Sequence, residues 1–168
     1  MACTVEAVRY AAERMGKLRL VALGRNSDKM EKVLREGLTN VPVEVTVYGL
    51  LSADNVVRVL GSSDVMLFPR GPLTTRRGSA IAGIACGLPV IGSAGWETAP
   101  PLTDAGVVLL PAEAKSEFGP ALLKVLIDPA YRASLAARSR RAQEQHFSWE
   151  AIAEKYAKAM RAGGNRGE

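Results

Sequence analysis

Gly87 and Pro89 punctuate the stretch from Asp64 to Ser93, DVMLFPRGPLTTRRGSAIAGIACGLPVIGS, and leave it one economical fold. Asp64 to Pro69 is short and rich in Val, Leu and Phe, which predicts a strand, whereas Ser79 to Cys86 is built from Ala and Ile and predicts a helix. Gly87 stops that helix at a C′ position, and Pro89 forbids its continuation. Pro89 to Ile91 then returns as a second strand. Two strands joined by a helix are parallel neighbours, and open α/β sheets bind ligands in the loops at the carboxyl ends of such strands. The loop Arg70 to Gly78 is therefore the first candidate site.

The same punctuation divides the rest of the chain. Val5, Val8, Ala12 and Met15 recur at helical spacing within Cys3 to Met15, and Gly16 ends the pattern. Leu18 to Leu23 predicts a strand, and Gly24-Arg25-Asn26-Ser27 turns into a helix over Asp28 to Glu36 with Ser27 as its N-cap. Strand, glycine turn and capped helix make Gly24 and Arg25 a candidate anion site; an ordinary βα turn is the alternative. Val43 to Tyr48 alternates Val with Glu and Thr, as a half-buried or near-edge strand does. Gly49 turns toward a helix over Ala53 to Leu60 capped by Ser52. Gly92 to Pro101 reads as a long loop and Val107 to Leu110 as a fifth strand. Helices follow at Pro120 to Ile127, with proline at N1, at Pro129 to Gln145, and at Trp149 to Met160 after a Ser148 cap. Trp149, Ile152, Ala153, Tyr156 and Met160 form an apolar stripe on the last of these. It docks either on this domain or on a partner domain. Gly163 to Glu168 reads as a frayed tail, so residues 1 to 162 form one domain.

The counted elements predict an α/β fold with a doubly wound, Rossmann-like parallel sheet. A chain of 168 residues suffices for one such domain. Aromatic residues make up only 5% of it, too few for a platform on which nucleic-acid bases stack, so no nucleic-acid partner is expected. The net charge is +5, and residues 131 to 168 hold eight Arg or Lys against four Glu. A solvated helix face accounts for that cluster; peripheral contact with an anionic membrane through Arg138, Arg140 and Arg141 is the alternative. Cys3 and Cys86 have no CxxC spacing and read as reduced thiols. His146 is the single histidine, so neither a metal site nor a nucleophilic triad is expected. With no apolar run of about 20 residues and no leader pattern, the expected location is cytoplasmic.

IAGIACGLPVIGS, with SSDVMLFP before it and GWET and AGVVLLP after it, resembles the C-terminal, donor-binding half of retaining glycosyltransferases of the GT-B fold, the group 1 or family 4 type. The most specific word is Ala85-Cys86-Gly87-Leu88-Pro89-Val90-Ile91. The resemblance implies a hexosyltransferase that uses a nucleoside diphosphate sugar as donor substrate, needs no cofactor, and is completed by an N-terminal acceptor domain or partner chain. It also implies that the backbone at Gly49 faces the nucleotide base and that Glu97 corresponds to a family glutamate. Two other family glutamates, one touching the donor sugar and one holding the ribose, align with Thr74 and Ala82. The first strand of the family domain, whose loop carries an Arg and a Lys for the diphosphate, has no counterpart in this chain.

The loop keeps anion chemistry of its own. Thr74, Thr75, Arg76, Arg77, Gly78 and Ser79 precede a helix whose first amides lack intrahelical partners, and the two guanidinium groups and hydroxyls suit a diphosphate. Arg76 and Arg77 pointing to solvent is the alternative. Three functions are compatible with these residues. One is the donor-binding domain of a glycosyltransferase, inactive alone. Another is a non-catalytic module that binds nucleotide or sugar phosphate or supports a partner. The third is an unrelated doubly wound domain, against which the Ala-Cys-Gly-Leu-Pro-Val-Ile word argues.

Overall fold

The computed structural model describes residues 2 to 164. It contains α1 (Ala2–Met15), β1 (Leu18–Ala22), α2 (Glu31–Gly37), β2 (Val43–Val47), α3 (Ala53–Gly61), β3 (Met66–Pro72), α4 (Gly78–Ala85), β4 (Val90–Ser93), β5 (Val107–Leu110), α5 (Phe118–Ile127), α6 (Pro129–Ala142) and α7 (Trp149–Gly164). All five predicted strands form, and every strand pairing among the described residues is parallel. Two ladders result rather than one continuous sheet: β1 pairs with β2, and β3, β4 and β5 pair in that order.

Helices cover the sheet because its strands are apolar on both faces. Val90 and Ile91, neighbours on β4, point to opposite faces and are both fully buried. Ile91 belongs to a core built from Val8 of α1, Leu34 of α2, Phe118 and Leu122 of α5 and Leu135 of α6. Val90 packs instead with Phe68, Leu73, Ala80 and Ile84 around α4. The small residues of α4 let it lie close on the sheet: a Cβ at Gly83 would stand 2.6 Å from the Met66 sulfur and 3.3 Å from Val90.

Gly87 ends α4 as its sequence predicts. It adopts φ +75°, its N–H bonds to Ile84 and the Leu88 N–H bonds to Gly83, so the last carbonyls are satisfied by a Schellman motif. Ser148 likewise caps α7 by accepting from the Ala151 amide at 3.1 Å.

Several boundaries differ from the sequence reading. Ser27 is helical and donates its hydroxyl to the Gly24 carbonyl, so a 3-10 turn over Asp28–Met30 precedes α2 without a side-chain cap. Ser52 has extended N-cap geometry but makes no cap bond. β3 begins at Met66 and runs on to Pro72 through an irregularity after Phe68, where Gly71 takes φ +73°. The free loop is thus Leu73 to Arg77, because Pro72 rejoins the ladder opposite Ser93. Gly92 and Ser93 likewise belong to β4 rather than to the loop that follows it. α5 starts at Phe118, which puts Pro120 third in the helix, still within the first turn where no N–H is needed. α6 starts on an Asp128 cap and stops at Ala142, followed by a π turn over Gln143–Phe147. α7 continues through Gly164 where a tail was expected from Gly163; the rest of that tail lies outside the described residues.

Most of the apolar stripe of α7 is uncovered among the described residues. Trp149, Tyr156 and Met160 are all more than two-thirds exposed, and only Ile152 is partly buried. No described helix is long and apolar enough to cross a membrane.

Candidate functional site

Two segments leaving the carboxyl ends of β3 and β4 meet over the sheet. Thr98 joins them, donating its hydroxyl to the Leu73 carbonyl at 2.7 Å and accepting from the Gly95 amide at 2.9 Å. Between the segments lies a cleft of about 360 Å³ lined by Pro72, Thr74, Arg76, Arg77, Trp96 and Glu97. Arg76 and Glu97 form an ion pair across it. Arg77 is the N-cap residue of α4 and has no carboxylate partner among the described residues. Its carbonyl accepts from Ala80 and Ile81, which closes the first turn behind it.

Thr74 is buried, and its hydroxyl accepts from the Arg76 amide at 3.3 Å while its carbonyl accepts from Arg77 at 3.0 Å. It therefore shapes the loop and holds the two arginines on its outer side. Thr75, Gly78 and Ser79 are exposed; of these, Ser79 lines a second, larger cavity together with Ala82, Gly24 and Arg25. Gly24 and Gly49 have positive φ and touch, the Gly24 amide donating to the Gly49 carbonyl at 2.6 Å. The expected residues thus separate into two groups. Thr74, Arg76, Arg77 and Glu97 line the cleft; Gly24, Arg25 and Ser79 line the larger cavity, with Gly49 bonded to Gly24, and Thr75 and Gly78 line neither.

Trp96 was missed by the sequence reading and is 93% exposed at the cleft wall. The signal available was a tryptophan beside Gly95 in a polar loop, where an apolar ring has no folding task. Of the basic cluster on α6, Arg138 is used internally: it donates to the carbonyls of Thr103 and Asp104. The Arg140 stem lies over Gly87, and Arg141 is exposed. His146 meets Lys155 Nζ at 3.1 Å, and no group of three or more metal-ligating side chains occurs among the described residues. Burial pushes the thiols of Cys3 and Cys86 above their ordinary range.

Comparison with known proteins places this chain in a lineage. A family model described as glycosyl transferases group 1 matches residues 1–128. The chain belongs to this family. A curated member from Corynebacterium glutamicum, a GDP-mannose-dependent monoacylated alpha-(1-6)-phosphatidylinositol monomannoside mannosyltransferase, is 28% identical over 151 residues, 86% of this chain and 39% of that protein. Among solved structures, the lipopolysaccharide glycosyltransferase WaaG superposes with a TM-score of 0.69 at 20% identity, over 86% of this chain and 39% of its own. Sucrose-phosphate synthase from Thermosynechococcus elongatus gives 0.67 at 25% identity, over 94% and 41%. S. aureus TarM, in a complex that includes UDP, gives 0.68 at 14% identity, over 93% and 31%. This group 1 chain therefore has the fold of one half of a GT-B glycosyltransferase and spans about two-fifths of the length of the curated relative.

Proposed function

We propose that this chain is the donor-binding half of a retaining glycosyltransferase and that its cleft seats the diphosphate of a nucleoside diphosphate sugar. The observation that carries the reading is the placement of Arg76 and Arg77 together, above a buried Thr74 and beside the first turn of α4, at the carboxyl end of a parallel strand. Guanidinium groups offer phosphate paired, charge-assisted bonds, and the start of a helix adds the positive end of its dipole. Of the two, Arg77 is the stronger anchor. Arg76 must first leave Glu97, so a diphosphate gains less from it. Thr75, on the same loop, presents an exposed hydroxyl. The relative named as GDP-mannose-dependent and the TarM complex with UDP make GDP and UDP the first ligands to try. The acceptor is held by a second domain, and the exposed stripe of α7 is the surface that meets it.

Titration calorimetry with GDP, UDP and ADP tests the reading. Arg77→Ala is expected to weaken diphosphate binding by about 1.5 to 3 kcal/mol, roughly 10- to 160-fold, and Arg76→Ala by less. Unchanged affinity in Arg77→Ala, or no binding to the unsubstituted chain at millimolar ligand, would refute it.

A further inference from the structure

Trp96 stands on the wall of the cleft with 93% of its surface exposed, and its support is rigid. Trp96 and Glu97 are the two central residues of a turn closed by the Thr98 amide, which donates to the Gly95 carbonyl at 2.9 Å. The Thr98 hydroxyl ties this turn to the residue after β3, donating to the Leu73 carbonyl at 2.7 Å. Gly95 lies so close on the end of β3 that a Cβ there would stand 2.5 Å from Pro72. A large apolar ring held in water on a pinned turn adds nothing to the core. With two side-chain torsions on a fixed backbone, it loses little freedom when a ligand covers it, which is what a binding surface needs.

The groups around the ring select its ligand. Thr74, Arg76, Arg77 and Glu97 line the cleft with Trp96 and Pro72, so one aromatic plate is surrounded by polar side chains. That arrangement suits a hexose, whose ring faces carry C–H groups and whose rim carries hydroxyls. A nucleobase has two flat π-faces and gains most between two rings, and Trp96 is the single aromatic ring of this cleft. Arg77 lines the cleft, whereas Ser79, two residues on, lines the larger cavity of about 760 Å³ with Gly24 and Arg25. A diphosphate at the start of α4 therefore has a seat on each side, and its hexose takes the side with the ring.

Glu97 makes this seat respond to the whole ligand. It pairs with Arg76 across the cleft, and its side chain is only 29% exposed. When Arg76 turns to a diphosphate, the half-buried carboxylate is left with acceptor oxygens and no cation, a cost that the diphosphate alone does not offset. Hexose hydroxyls donate to it and restore the lost bonds. We propose that Trp96 and Glu97 seat the hexose of the donor, the indole against a C–H face of the sugar and the carboxylate accepting from its hydroxyls once Arg76 has turned to the diphosphate. The proposal rests on the diphosphate reading of the cleft and adds which residues recognise the sugar.

Titration calorimetry on the 168-residue chain compares each nucleotide sugar with its own diphosphate, GDP-mannose with GDP and UDP-glucose with UDP. An aromatic side chain buries about 150 to 250 Å² in a core, and covering about a quarter of that is worth roughly tenfold in affinity. Trp96→Ala is therefore expected to weaken the nucleotide sugar about tenfold and to leave the diphosphate unchanged, while Trp96→Phe keeps most of the affinity for both. Glu97→Gln should move the two ligands in opposite directions: tighter diphosphate, because Arg76 is released, and weaker nucleotide sugar, because the charged acceptor is gone. Trp149, 83% exposed on α7, is the chain's other tryptophan. In Trp149→Phe the emission of Trp96 is read alone, and it is expected to shift with nucleotide sugar and not with diphosphate. Equal weakening of both ligands in Trp96→Ala, or unchanged binding of both, overturns the proposal and leaves the diphosphate reading standing. So does a Glu97→Gln chain in which both ligands tighten or both weaken. If the unsubstituted chain binds neither ligand at millimolar concentration, the diphosphate reading falls and the proposal with it.

Discussion

Ser139 fastens α6 to the sheet through a single hydroxyl, which donates to the Leu88 carbonyl at 2.7 Å and accepts from the Gly106 amide at 3.2 Å. The residue is fully buried, so Ser139→Ala leaves two backbone groups unpaired in the core. We expect a loss of about 2 to 4 kcal/mol in urea denaturation, since each unsatisfied group costs roughly 1 to 3 kcal/mol. Gly106→Ala should be worse still, because its Cβ would fall on the Leu135 carbonyl, which backbone alone can relieve. Neither position stands out in the sequence, where Ser139 sits among Arg138, Arg140 and Arg141 and reads as part of a solvated face. The available signal was its spacing from Leu135 and Ala142, which places it on the buried stripe. Cys86 offers a readout of another kind. Burial raises its thiol above the ordinary value, so the folded state favours the protonated form, and stability from this group is held below that ordinary value and lost as pH rises through the raised one. Alkylation at pH 8 should accordingly run slower in the native chain than in urea.

The turn from α4 into β4 shows which parts of an element a sequence announces. Gly87 has φ +75°, and a Cβ there would stand 3.2 Å from the Arg140 side chain. Gly87→Ala is therefore expected to cost about 1 to 2 kcal/mol by thermal unfolding, for strain in a left-handed position. That turn was legible because glycine and proline act locally, and the strands were legible because both their faces must be apolar. The end of β3 was not. Its last residues, Arg70-Gly71-Pro72, carry turn chemistry, and only the pairing of Pro72 with Ser93 keeps them in the ladder. Caps were legible in part: Ser148 accepts its amide, whereas Ser27 turns its hydroxyl back to Gly24. The cleft was half legible. Arg76, Arg77 and Glu97 are charges beside a helix start, but the pairing of Arg76 with Glu97 and the part of Trp96 depend on two loops meeting through Thr98.

The chain has the fold of one half of a GT-B glycosyltransferase, and on the reading proposed above its cleft holds the donor diphosphate. The positions that the resemblance aligns with the family's sugar and ribose glutamates are Thr74, which is buried and shapes the loop, and Ala82, which lines the larger cavity. Glu97 is tied to Arg76. Transfer between two substrates gains much of its rate from holding both in register, with effective molarities reaching about 10⁵ to 10⁸ M, and from fixed charges around the developing transition state. A domain that, as proposed, holds a diphosphate supplies neither the acceptor's position nor most of those charges. The purified 168-residue chain, given GDP-mannose or UDP-glucose with simple glycoside or lipid acceptors, is therefore expected to form no glycoside above a heat-killed control while still binding the diphosphate. Adding Glu at one of the two aligned positions, as Ala82→Glu, should not restore transfer, because a single added carboxylate does not position an acceptor. Turnover by the unsubstituted chain would show that the two-domain cleft is dispensable and would overturn the assignment of this chain as a donor half alone.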